Sequence, residues 1–218
     1  MNKSKISTLT TSLMLLFVLI PPPLTAQRQD SNVELDKRVA QFLEEHQDDF
    51  HDMNVPKKDG ELLYDLIIKG NYTRALEIGT STGYSGIYMA WALSKTGGKL
   101  ITIELNEQRY KTALKHFKQA GLSDYIDARL ADAHELVKEL DGPFDFVFSD
   151  ADKNWYKNYF LELDPKLVPG GCYATHNISN RSGGWNYDYY AYIKSLEHYQ
   201  SNVHPGTSML ISYKIADK

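Results

Sequence analysis

The sequence predicts an α/β chain built on a doubly wound, mostly parallel sheet with helices on both faces. Three observations predict it. Short apolar runs, among them RALEIG at 74–79 and FDFVFSD at 144–150, have the length and composition of buried strands. Amphipathic stretches with apolar residues at helical spacing stand between them. The two kinds alternate along most of the chain, a pattern that goes with parallel strands joined by crossover helices.

Taken in order, VELDKRVAQFLEEHQDDF (33–50) has helical apolar spacing, and DGELLYDLIIKG (59–70) is a second helix closed by Gly70. RALEIG is a strand, YSGIYMAWALSK (84–95) a helix and KLITIEL (99–105) a strand. NEQRYKTALKHFKQAG (106–121) is an amphipathic helix with a glycine stop. YIDARLA (125–131) is a strand, AHELVKEL (133–140) a short helix and FDFVFSD an apolar strand. NWYKNYFLELDPKL (154–167) is helical, GGCYATHN (170–177) a strand, YDYYAYIKSLEHY (187–199) helical, and MLISYKI (209–215) a closing strand. No internal repeat or low-complexity segment interrupts the series.

The composition fits one globular domain: 218 residues, 42% hydrophobic and 24% charged. A net charge of −4 argues against a nucleic-acid partner, because such domains carry a basic excess. Cys172 is the only cysteine, so no internal disulfide forms.

Residues 1–26 read as a leader. MNKSKISTLTT carries two lysines and no acid, SLMLLFVLI is an apolar run short for a bilayer, and PPPLTA ends in a small residue. A signal peptide cleaved after Ala26 is one reading and an uncleaved anchor the other. Both export the single domain, 27–218, to the periplasm or the medium. Cleavage leaves no stable membrane insertion, and loss of Lys3 and Lys5 takes the charge from −4 to −6.

RALEIGTSTGYSG is a strand, a glycine turn and a helix start, and sheets of this class bind ligands at such strand ends. The GxxxGxxG spacing is neither the dinucleotide fingerprint nor a P-loop, which disfavours a phosphate cradle. Glu77 would repel a pyrophosphate and suits a cationic or hydroxyl-bearing ligand. Glu104 lies about 25 residues past the turn, where an acid accepts both hydroxyls of a ribose. Two acids without a phosphate cradle suggest S-adenosyl-L-methionine; the plainer reading is a generic nucleoside-binding or empty α/β fold. FDFVFSDADK then runs a buried strand into Asp150, Asp152 and Lys153, more chemistry than a turn requires.

MNVPKKDGELL, ALEIGTSTGYSG, ITIELN, DFVFSDADKNWY and GGCYATHN, in that order, resemble the cation-dependent O-methyltransferases typified by the catechol and caffeoyl-CoA enzymes. The resemblance runs from residue 53 to 215. It implies a Rossmann-like class I methyltransferase fold of seven strands, the last antiparallel. It also implies a cofactor site. Val55 would pack on S-adenosyl-L-methionine, or simply in the core. Glu77, Gly79 and Thr80 would border the methionine tail, with Ser85 at the following helix start. Glu104 would hold the ribose, Ala133 would lie by the adenine or pack in the core, and Asp152 would close the site. Asp150 resembles the first metal ligand and Lys153 the catalytic lysine.

The implied chemistry is methyl transfer to a hydroxyl of a small, aromatic, phenol- or catechol-like molecule. A phenol has a pKa of about 10 and is a poor nucleophile at neutral pH. A divalent metal on two adjacent oxygens lowers that pKa, and a nearby lysine takes the proton or stabilises the phenolate.

The chain departs from the pattern at one place. Asp-Asn ends the corresponding strand in the family and both residues ligate the metal; His176-Asn177 ends it here, which makes Asp150, His176 and Asn177 the implied ligands. With Asp150, that pair offers one carboxylate and one imidazole. Three outcomes stand open: a transition metal, which imidazole suits; weakly held Mg²⁺, the metal the family implies; or no metal, with His176 acting as base or hydrogen-bond donor. Trp185, Tyr187 and Tyr189 either cap an aromatic substrate or pack a surface loop. VHPGTSML has no carboxylate where catechol-type members place one, which sets catechol itself apart. A homodimer is compatible with this reading. The alternative function is an exported protein on a methyltransferase scaffold that binds a small ligand or does other metal chemistry.

Overall fold

The computed structural model describes residues 24–50, 52–184 and 186–217. Seven helices and seven strands make the described part: α1 (Leu24–Glu45), α2 (Lys57–Gly70), β1 (Arg74–Ile78), α3 (Tyr84–Thr96), β2 (Lys99–Glu104), α4 (Glu107–Ala120), β3 (Ile126–Leu130), α5 (Ala133–Glu139), β4 (Phe144–Ser149), α6 (Tyr156–Leu163), β5 (Leu167–Thr175), α7 (Tyr187–Lys194), β6 (Tyr199–Val203) and β7 (Leu210–Lys214). The leader as far as residue 23, and Trp185, lie outside the described residues. No helix among the described residues is long and apolar enough to cross a membrane.

The strands form one sheet in the order β3-β2-β1-β4-β5-β7-β6. The first five run parallel, and β7 lies antiparallel between β5 and β6. The expected sheet, seven strands with the last reversed, is the one observed. Period-two alternation divides the core between its faces. Leu76, Ile78, Val147 and Tyr173 pack with Tyr156, Tyr159, Phe160 and Leu163 on one side. Ala75, Phe146, Phe148, Cys172 and Ala174 pack with Leu63, Ile67, Met89 and Leu93 on the other. With both faces covered, the central strands read as continuous apolar runs.

Two boundaries differ from the sequence expectation. Helix α7 stops at Lys194 instead of reaching Tyr199, and β6 takes up the chain from that residue. As an edge strand β6 pairs with one neighbour only, and its sequence YQSNV alternates polar residues with little apolar signal. The expected helix at 154–167 is broken by a separate turn at Asp164–Lys166 that carries Pro165, and β5 already begins at Leu167.

Helix α2 approaches α3 closely at Gly60, where an added Cβ would sit 2.5 Å from the Tyr88 ring. That contact seats the first turn of α2, and with it the buried Asp59, over the carboxyl ends of the central strands.

Candidate functional site

Strand register builds the site. Ile78 pairs with Ser149, and Ser149 with Thr175, so these three close β1, β4 and β5 in one row. The next residue of each strand, Gly79, Asp150 and His176, leaves the sheet beside the others. The Asp150 amide donates to the Ile78 carbonyl at 2.9 Å, and the His176 amide to the Ser149 carbonyl at 3.1 Å. Gly79 turns at φ +99°, and a Cβ there would stand 2.8 Å from the Asp150 carbonyl oxygen. Only glycine meets both conditions.

A cavity of about 750 Å³ opens over these ends. Gly79, Glu104, Ala133, Asp150, Asp152, Lys153, His176 and Asn177 line it together. Four other expected residues do not border it. Val55 faces a separate groove of about 820 Å³ between α1, α2 and α3. Glu77 is wholly buried behind the glycine turn, where the Ser85 and Thr102 hydroxyls donate to its two oxygens, each at 2.5 Å. Burial pushes its carboxyl up to about 7 despite those two donors. Thr80 shares a hydrogen bond with Thr102 and is itself buried. Glu77, Thr80 and Ser85 thus brace the turn from inside.

Glu104, at the end of β2, is the acid at the cavity wall. The Ser81 amide donates to Oε2 at 2.7 Å and the Asn106 amide to Oε1 at 2.8 Å. A carboxylate offers about four lone-pair positions, so it keeps acceptor capacity for two further hydroxyls. Residues that sequence reasoning missed complete this end. Asn106 caps α4 through its side chain. Arg109 of α4 grips Asp52 with Nε and a terminal nitrogen at 2.7 and 2.8 Å, tying the loop before α2 to the far wall. His134 stacks on Trp155 with ring centres 4.0 Å apart, and its Nε2 lies 3.4 Å from Asp152. Only the cap had a local signal, an Asn before an amphipathic helix.

At the other end stands a buried polar line. His176 Nδ1 is 3.0 Å from Asp150 Oδ2, and Nε2 is 2.9 Å from Asp59 Oδ2. Burial works against the imidazolium, but Asp150 and Asp59 outweigh it and hold the ring above its ordinary pKa. Asp150 Oδ1 faces Lys153 Nζ at 3.7 Å and accepts from the Tyr156 hydroxyl at 3.4 Å. Asn177 turns into the left-handed region at φ 52° and lines the cavity beside them. A side pocket of about 430 Å³ shares Lys153 and is bordered by Tyr187 and, at its edge with the core, Tyr189. Tyr189 is a core residue, its hydroxyl 3.0 Å from Thr175 Oγ1, which supports packing over capping.

The metal that the resemblance implies meets a donor set that does not fit it. A metal-bound imidazole coordinates through a deprotonated nitrogen. Here both ring nitrogens point at carboxylates, at 3.0 and 2.9 Å, and neither is turned toward the cavity. Asp150 Oδ2 is spent on the ring.

A family model described as O-methyltransferase matches residues 29–180. A catechol O-methyltransferase of Niastella koreensis is 39% identical over 130 residues, 58% of each chain. Caffeoyl-CoA O-methyltransferase 1 of Eucalyptus globulus is 34% identical over 130 residues, 57% of this chain and 52% of that protein. The chain thus aligns with little more than half the length of these curated relatives. Among solved structures, a Podospora anserina methyltransferase bound to SAH superposes with a TM-score of 0.71 at 19% identity, over 91% of this chain and 99% of that one. A Bacillus cereus O-methyltransferase in complex with SAH superposes at 0.66 with 24% identity, over 90% and 93%. These two likenesses concern the fold.

Proposed function

The chain belongs to the O-methyltransferase family, and from that membership we propose that it transfers a methyl group from S-adenosyl-L-methionine to a hydroxyl of a small aromatic molecule. One observation carries the reading. A single cavity joins a strand-end acid with free acceptor capacity, Glu104, to a strand-end Asp-Lys pair, Asp150 and Lys153.

The cofactor fits the residues present. Gly79 lets the backbone turn tightly at the cavity floor, Glu104 suits a ribose, and Ala133 leaves a small apolar wall for a purine. When bound, it supplies an electrophilic sulfonium methyl and keeps the electron pair of the broken carbon–sulfur bond. Lys153 Nζ takes the hydroxyl proton while the new carbon–oxygen bond forms. Asp150 balances the resulting ammonium. The cavity walls would hold acceptor and cofactor together, and fixed geometry of that kind supplies about 7–11 kcal/mol at the upper range. Tyr187, which lines the side pocket, suits an aromatic acceptor.

The test incubates the full chain with labelled cofactor and a panel of phenols and vicinal diols, with and without Mg²⁺, Mn²⁺ and Zn²⁺. Transfer to one of them is expected. Absence of transfer together with absence of cofactor binding by calorimetry overturns the reading.

A further inference from the structure

We propose that this chain takes no divalent cation at the Asp150–His176 end of its cavity, and that the Asp59–His176–Asp150 bridge stands in the cation's place. A substrate with a single hydroxyl is then sufficient. The substrate half of this inference rests on the methyltransferase reading; the metal half does not.

The geometry carries it. A dication needs open lone pairs converging on one point. The imidazole of His176 has one nitrogen 3.0 Å from Asp150 and the other 2.9 Å from Asp59. Each nitrogen is thus engaged by a carboxylate, and neither is left open to the cavity. Asp150 is itself ringed by donors: His176 on one oxygen, Lys153 and Tyr156 on the other.

The bridge is held on every side. Asp59 is 1% exposed in the first turn of α2. Its neighbour Gly60 is pressed against Tyr88, which blocks a shift of that turn. The His176 backbone is fixed by the Ser149 carbonyl. Opening the bridge to admit a metal would strand Asp59 without its partner, and its second oxygen, Oδ1, has none already. Asp59 is therefore a positioning residue, acting on the reacting end through His176.

The consequence for substrate follows from coordination chemistry. A metal orients an acceptor by chelating two adjacent oxygens. Lys153 contacts one oxygen by one hydrogen bond. A vicinal diol then loses its advantage over a monohydroxy phenol.

The experiment titrates the full chain, saturated with SAH, with MgCl₂, MnCl₂ and ZnCl₂ by calorimetry, beside His176→Asp. The wild type is expected to show no metal-binding heat, and the variant, which restores a second carboxylate, to gain Mg²⁺ binding. Saturable binding of any of the three metals by the wild type, lost in His176→Gln, overturns the proposal. The wild-type titration decides even if His176→Asp does not fold. In parallel, methyl transfer after exhaustive EDTA dialysis is expected to stay within about twofold of the untreated rate, with phenols and vicinal diols used within about tenfold of each other. A loss of more than tenfold on dialysis that Mg²⁺, Mn²⁺ or Zn²⁺ restores, or transfer confined to vicinal diols, overturns it. If no substrate is methylated under any condition, the methyltransferase reading fails and the calorimetry alone judges the metal.

Discussion

His176 Nε2 lies 2.9 Å from Asp59 Oδ2, across 117 positions of sequence, with both side chains buried. This contact joins the first turn of α2 to the end of β5. Removing Asp59 leaves the buried Nε2 of His176 without its partner, while Nδ1 keeps Asp150. Asp59→Ala is expected to destabilise the fold by about 1–3 kcal/mol. Asp59→Asn should lose distinctly less, because its amide oxygen still accepts from the ring. Urea denaturation of the three proteins checks the order; equal stability of Asp59→Ala and wild type would contradict it.

Glu104 predicts a binding defect. If its carboxylate accepts the cofactor's ribose hydroxyls, Glu104→Ala should weaken SAH binding by about 2–3 kcal/mol, roughly 30- to 150-fold. Calorimetry measures it directly. Affinity within experimental error of the wild type would remove Glu104 from the cofactor site.

Lys153 predicts a defect in the chemical step. Lys153→Met should lower kcat by roughly 10²–10⁴-fold while SAH affinity is retained. Lys153 is partly exposed and touches Asp150 at 3.7 Å, so the fold should tolerate the change. Parallel losses in cofactor affinity and kcat would point to a structural role instead.

Glu77 predicts a pH dependence of stability. Its carboxyl is raised from 4.5 to about 7 by burial, against the hydrogen bonds of Ser85 and Thr102. A raised pKa in the folded state means that the native protein binds the proton more tightly than the unfolded chain. The contribution is full below about 4.5 and is lost as pH rises through about 7. Glu77→Gln carries no such dependence. Between pH 5 and pH 8 the variant should therefore gain up to roughly 3 kcal/mol on the wild type. Urea melts at the two pH values test this, and a constant difference between the proteins would refute it.

Much of the fold was legible because it rests on short-range patterns. Apolar runs such as FDFVF and amphipathic stretches such as NEQRYKTALKHF carry their period within a dozen residues, and both faces of the sheet bury what those runs supply. Strand β6 escaped because an edge strand with alternating polar residues leaves little of that signal. Strand-end residues were legible for a related reason. Glu104 ends a recognisable strand and Gly79, Asp150 and His176 each follow one, and ligand sites in such sheets gather at those ends.

Partnership was decided by tertiary structure alone. Glu77 precedes the glycine turn in sequence, but its side chain points away from the cavity into the space shared by Ser85 and Thr102, because neighbouring residues of a strand face opposite sides. His176 and Asp150 meet through register across β4 and β5, and Asp59 reaches them because Gly60 lets α2 lie close on α3. By itself the sequence determined which chemical groups the strand ends carry. The three-dimensional packing decided which of them are spent on one another: a hydrogen bond between residues 117 apart leaves no periodicity for a linear reading to find.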